Sequence, residues 1–220
     1  MKSCLGISPA VAWVIALGLP GMGITSAQAG PCSGMPPALR DMAQVDHTMR
    51  QHAMAALPDT QERAWDQVML VDRVHTRRLK DWLKTCGWPR RSVHGEQAVG
   101  DAWLLAQHAD QDRRFQARAI QLLALVVKAG EAEPTQLAYL SDRVATALGQ
   151  PQRYGTQFEI RGTCELVMAP VDDLKQVDAR RRELGMPSMV QYRQQIMAHA
   201  MPVACQQQGE PASTSSLPDR

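Results

Sequence analysis

The chain carries almost no excess charge of either sign, with 24 Lys and Arg against 22 Asp and Glu in 220 residues. Nucleic-acid-binding proteins normally show a strong basic excess, so the composition argues against that class. Long apolar runs are also scarce. The uncharged stretch from Ala10 to Leu19 is too short for a membrane-spanning helix, which needs roughly 20 apolar residues. No later segment is apolar enough to span, so a soluble mature chain with no membrane span is expected. Cys-x-x-Cys and Cys/His ligand spacings are missing, so no metal and no cofactor is assigned. There is no Gly-x-Ser-x-Gly elbow to hold a serine nucleophile, and no internal repeat.

What is present begins with an export signature. Lys2 precedes the apolar run, Pro20-Gly21 breaks it, and Ala27-Gln28-Ala29 offers the small-x-small pattern of a signal-peptidase site. The expectation is a cleavable signal peptide over residues 1–29, a mature start at Gly30, and a periplasmic or secreted protein. Pro31 directly before Cys32 does not suit a lipid anchor. Removing residues 1–29 of 220 leaves 191, enough for one domain with a core. Cys32, Cys86, Cys164 and Cys205 remain, and an even count in an oxidising compartment favours two disulfides. An antiparallel hairpin of the first two helices would set Cys32 beside Cys86 and leave Cys164 for Cys205.

Periodicity predicts a mainly α domain over 30–205, a bundle of about six or seven helices with a small β-hairpin near 157–168. Leu39, Met42, Met49 and Ala53 mark a first amphipathic helix that stops near Pro58. Asp59 or Thr60 can cap a second, with a stripe from Trp65 through Val68, Asp72, His75 and Leu79 to Trp82, closed by Gly87. A turn-rich connector over 90–95 leads to a helix from about Gln97 to His108. Asp110 or Asp112 caps the next, which carries Phe115, Ala119, Leu122 and Val126. Pro134 suits the first position of a fifth helix running to Gly149. The β-rich segment from Phe158 to Met168 turns at Arg161-Gly162. Asp172 or Asp173, and then Ser188, cap two last helices, and residues 206–220 read as a disordered tail.

Polar residues inside apolar stripes are the informative ones, because burying an unpaired charge is costly. Asp46 lies between Met42 and Met49, and Asp72 and His75 lie between Val68 and Leu79, so the hairpin can bring them face to face. They read either as a buried structural pair or as an acid–base group lining a cleft. Gln107-His108-Ala109-Asp110 is the densest polar cluster, although capping alone would explain Asp110. Tyr139, Asp142 and Arg143 share one side of the fifth helix, with salt-bridge packing as the plainer explanation. Arg153-Tyr154-Gly155-Thr156-Gln157 is a connector able to present Tyr154 and Gln157 to a ligand, or a tight turn that needs Gly155 at positive φ.

Gly87-Trp88-Pro89, Trp103 with Gln107-His108-Ala109-Asp110, Tyr139 with Asp142-Arg143, Tyr154-Gly155-Thr156-Gln157, Asp178-Ala179-Arg180-Arg181 and Leu184-Gly185 together resemble, in that order, a bacterial domain family of unknown function. The resemblance covers about Leu39 to Tyr192 and departs at His75-Thr76, where an Asn-Thr pair is expected. It implies one mainly helical domain, with an envelope or secreted setting in some members, and no activity. Two functions follow from the residues. One is a binding module for a small molecule, glycan or protein, with Gln107, Asp142, Arg143, Tyr154 and Gln157 as contacts. The other is a hydrolase of envelope or extracellular material, with His108 as acid or base and Asp72, Asp110 or Asp142 as partner. Convergence of His108, an aspartate and Gln157 in one pocket would favour the second.

Overall fold

A computed structural model describes residues 30–162, 164–199 and 205; the expected signal peptide and the tail over 206–220 lie outside them. The described chain is mainly helical. α1 (Met35–Ala55) and α2 (Pro58–Cys86) form an antiparallel hairpin, because Leu57 precedes a proline and is held extended at φ −65°, ψ 154°. α1 buries Met35, Leu39, Met42, Ala43, Asp46 and Ala53. α2 buries Val68, His75, Thr76, Leu79 and Leu83, a stripe that starts one turn later than the sequence suggested and leaves Trp65 37% exposed. Neither Asp59 nor Thr60 caps α2. The helix begins at Pro58, with no side-chain cap, and the Thr60 hydroxyl donates back to the Leu57 carbonyl at 3.1 Å.

α3 (Arg91–Gln107) is the central helix and packs against α1, α2, α4 and α5. It starts within the expected connector and is broken at Gly95, whose φ of 82° interrupts the helical backbone. Its buried face is rich in alanine (Ala98, Ala102, Ala106), which lets neighbouring backbones approach closely. α4 (Arg113–Lys128) is capped by Asp112, whose carboxylate accepts from the Phe115 N–H at 3.0 Å. α5 (Pro134–Ala147) starts at its proline as expected. The core lies among these five helices, with Leu39, Leu79, Val99, Leu123 and Leu140 fully buried.

Past α5 the chain makes a hairpin of β1 (Phe158–Arg161) and β2 (Glu165–Met168), with Phe158 opposite Met168 and Arg161 opposite Glu165. α6 (Leu174–Glu183) is capped by Asp173, and α7 (Met189–His199) begins after Ser188, whose hydroxyl accepts from the Gln191 N–H at 3.3 Å. Two disulfides close the structure. Cys32–Cys86 ties the start of α1 to the end of α2 with Cα atoms 5.7 Å apart. Cys164–Cys205, with Cα atoms 5.3 Å apart, fastens the hairpin to the segment beyond α7. Both spans are those of ordinary disulfides. Among the described residues no helix is long and apolar enough to cross a membrane.

Candidate functional site

His108 stands at the C-terminal end of α3, where the helix gives way to the loop before α4. Its Nδ1 lies 2.9 and 3.0 Å from the two oxygens of Asp46 on α1. Arg50, one turn along α1, places its Nε 3.3 Å from Asp46 Oδ1 and 3.0 Å from His108 Nδ1. Its Nη2 donates to both oxygens of Asp72 on α2, at 2.8 and 2.9 Å. Two neighbours address Nδ1: the Asp46 carboxylate at 2.9 Å calls for a proton there, and the Arg50 Nε–H directed at it at 3.0 Å calls for a lone pair. In the Nδ1–H form Nε2 is the basic nitrogen, and it makes no hydrogen bond among the described residues.

Burial distributes the roles. The Asp46 side chain is 2% exposed and the His108 side chain 21%, so the dyad has a closed end and an open one. Burial alone would push the Asp46 carboxyl up. The His108 hydrogen bond, with the charges of His108, Arg50 and His75, outweighs that and brings the group below its ordinary value. Burial pushes Asp72 up, against the Arg50 guanidinium, and pushes His75 down, against Asp46. His75 Nδ1 is buried with no hydrogen-bond partner. Among the described residues no group of three or more His, Cys, Asp and Glu is placed to hold a metal ion; here Arg50 supplies the positive charge between Asp46 and Asp72.

His108 opens into a cleft of about 390 Å³ that also receives Gln107, Arg143, Thr156 and Gln157. One wall is aromatic. Trp103 meets Tyr139 edge-on at 6.1 Å, Tyr139 meets Tyr192 at 6.0 Å, and Tyr192 meets Phe158 at 5.9 Å. With its amide turned to accept, Gln107 takes the Leu140 N–H at 3.0 Å and lies 3.1 Å from the Trp103 indole N–H, which donates to the Gln136 carbonyl at 2.9 Å. Asp110 does not cap α4 and does not touch His108 by hydrogen bond. It grips Arg143 through Nε, at 2.9 Å, and through Nη2, and accepts from the buried Gln116 amide at 3.1 Å. Burial would raise the Asp110 carboxyl, but Arg143 and Gln116 hold it below the ordinary range. Arg143 thus arrives with one edge fixed and its Nη1 free of hydrogen bonds among the described residues.

The loop after α5 supplies the opposite lip. Asp142 is 1% exposed and takes the N–H groups of Arg153 (2.8 Å), Tyr154 (3.1 Å) and Thr156 (3.1 Å), plus the Thr156 hydroxyl at 3.1 Å. Thr156 Oγ1 in turn accepts from Gln157 Nε2 at 2.9 Å, which aims Gln157 at the cleft. Gly155 has φ 66°, and a Cβ there would stand 2.7 Å from Met189 Sδ, so the close approach of α7 and the turn both require glycine.

The residues singled out from the sequence therefore divide. His108, Gln107, Arg143 and Gln157 converge on one cleft. Asp72 reaches His108 only through Arg50, and Asp110 acts on the cleft through Arg143. Asp142 is spent on its loop, and Tyr154 faces a separate depression beside Leu137 and Leu184. Asp46, noticed only as a polar residue in a stripe, is the partner of His108. Arg50 escaped notice altogether, although its spacing of four from Asp46 was a visible signal.

Fold and site define a disulfide-bonded, mainly helical domain with a histidine–carboxylate pair at the edge of an aromatic cleft. The chain belongs to the family of unknown function DUF6624, whose model matches residues 35–203. No curated protein and no solved structure matches it.

Proposed function

We propose that this cleft binds a polar ligand and that His108, in its Nδ1–H form and oriented by Asp46, acts on it as a general base. The observation that carries the reading is an imidazole with Nδ1 2.9 Å from a buried carboxylate and Nε2 unpaired at the cleft among the described residues. Asp46 orients the ring and stabilises the imidazolium that forms when Nε2 takes a proton, as carboxylates do in other histidine-based sites. Gln107, Arg143 and Gln157 are the ligand contacts of this reading. Asp110 and Asp72 act as supports, and Asp142 and Tyr154 are not ligand contacts. Two disulfides suit a chain that works in an oxidising compartment, in keeping with export to the periplasm or beyond.

The test needs no substrate. In ¹⁵N-resolved NMR spectra at a pH where the ring is neutral, His108 is expected as the Nδ1–H tautomer, reverting toward Nε2–H in Asp46→Asn. An Nε2–H tautomer in the wild-type protein would remove the base from the cleft and end the proposal.

A further inference from the structure

We infer that the ligand is a glycan containing a uronate, and that the cleft breaks its chain by β-elimination; this rests on the reading of His108 as a base. No Asp or Glu is among the described residues lining the cleft. Hydrolysis of a glycosidic bond ordinarily uses two carboxyl groups, roughly 5 to 10 Å apart, across the scissile bond. Covalent catalysis by a serine or threonine lacks a free nucleophile among the described residues as well. The one hydroxyl of serine or threonine type at the cleft, that of Thr156, donates to Asp142 and accepts from Gln157. Elimination next to a carboxylate asks for less. It requires a base at the α-carbon and a cation to take up the charge that develops on the carboxylate.

Both are present. His108 Nε2 removes the proton from C5 of the uronate, the electron pair forms the C4=C5 double bond, and the C4–O bond to the next sugar breaks. The imidazolium returns that proton to the departing oxygen. Atoms and charge balance with no water, oxidant or metal consumed. Arg143, clamped on one edge by Asp110 with Nη1 free, presents the planar donor pattern that suits a carboxylate. A second positive charge stands behind the wall. Arg181 is fully buried, lies 4.6 Å from the Tyr192 ring centre, and has no ion pair among the described residues, with Nη2 left unpartnered. The aromatic wall suits the apolar face of a sugar ring, and about 390 Å³ lies within the usual ligand-pocket range of roughly 300–1,000 Å³.

The full mature chain is incubated with polygalacturonate, alginate and a glucuronate-containing glycosaminoglycan, and with the carboxyl-reduced form of each. Ultraviolet absorbance reads the double bond conjugated to the carboxylate. The expected result is a chromophore that grows with at least one acidic polymer and with none of the reduced ones. His108→Ala should slow it by at least about 100-fold. Arg143→Gln should slow it while leaving the melting temperature within a few degrees. Shortened chains without the chromophore would overturn elimination while leaving His108 as a base. Absence of both chromophore and binding on all three polymers, with the Nδ1–H tautomer intact, would overturn the uronate assignment alone. Undiminished elimination by His108→Ala would refute the base reading itself.

Discussion

Replacing Asp142 by asparagine separates a ligand contact from a structural anchor. The substitution keeps the shape of the side chain and removes its charge and one acceptor oxygen. In the native protein Oδ1 serves the Arg153 N–H, Oδ2 serves the Thr156 N–H and hydroxyl, and the Tyr154 N–H is shared between them. An asparagine oxygen satisfies one of these sets, and its NH₂ group turns donors against the other. Leaving buried donors unpaired costs about 1–3 kcal/mol each, so a total loss of about 3–5 kcal/mol is expected. At roughly 2–4 °C per kcal/mol for a domain of this size, the melting temperature should fall by about 6–20 °C. Urea unfolding followed by tryptophan fluorescence is the assay, with an unchanged m-value showing that the denatured state is not altered. A loss below about 0.5 kcal/mol, the range of ordinary surface substitutions, would refute the reasoning.

Two further perturbations test the frame around the site. His75 is buried with its pKa lowered, so the folded protein resists protonation that the unfolded chain accepts near its ordinary value of about 6.5. Its stabilising contribution is complete above that value and is lost as pH falls from there through the folded pKa, so His75→Asn should flatten thermal stability over that interval. Equal losses in both proteins between pH 7.5 and 5.5 would sink the assignment. Removing Cys32–Cys86 by a double serine substitution opens a loop with a sequence separation of 54. The chain-entropy relation gives a destabilisation of about 4 kcal/mol, read as a lowered urea midpoint; an unchanged midpoint would count against it.

The helices were legible because their residues repeat the need to bury one face, and the cysteine pairing followed from where a hairpin puts its ends. The site was less legible, for reasons visible in three residues. Asp110 sits where a helix cap belongs, yet Asp112 caps α4 and Asp110 holds Arg143. Both positions satisfy local rules, and only the third dimension distinguishes them. Asp142 looked available because helical spacing places it beside Arg143. Its carboxylate instead turns into the loop after α5, a contact across 11 to 14 residues of chain. The link from Asp46 to His108 spans 62 positions, and no periodicity encodes it.

The two lips of the cleft are built from different elements, and that bears on what each can determine. His108, Asp46, Arg50 and Asp72 come from the end of α3 and from the interiors of α1 and α2, elements packed into one core and tied at Cys32–Cys86. Groups held this way keep a hydrogen-bond geometry that proton transfer can rely on. Gln157 and Thr156 stand on a loop held by the Asp142 carboxylate, the Gln152 amide, Arg181 and the Tyr192 hydroxyl, with Gly155 at its turn, a place where ligand preference can change without disturbing His108. Substitutions at Asp142 or Gly155 should therefore alter which ligand is accepted before they alter the tautomer of His108. Substitutions at Arg50 should do the reverse, because among the described residues Arg50 alone contacts Asp46, His108 and Asp72 together.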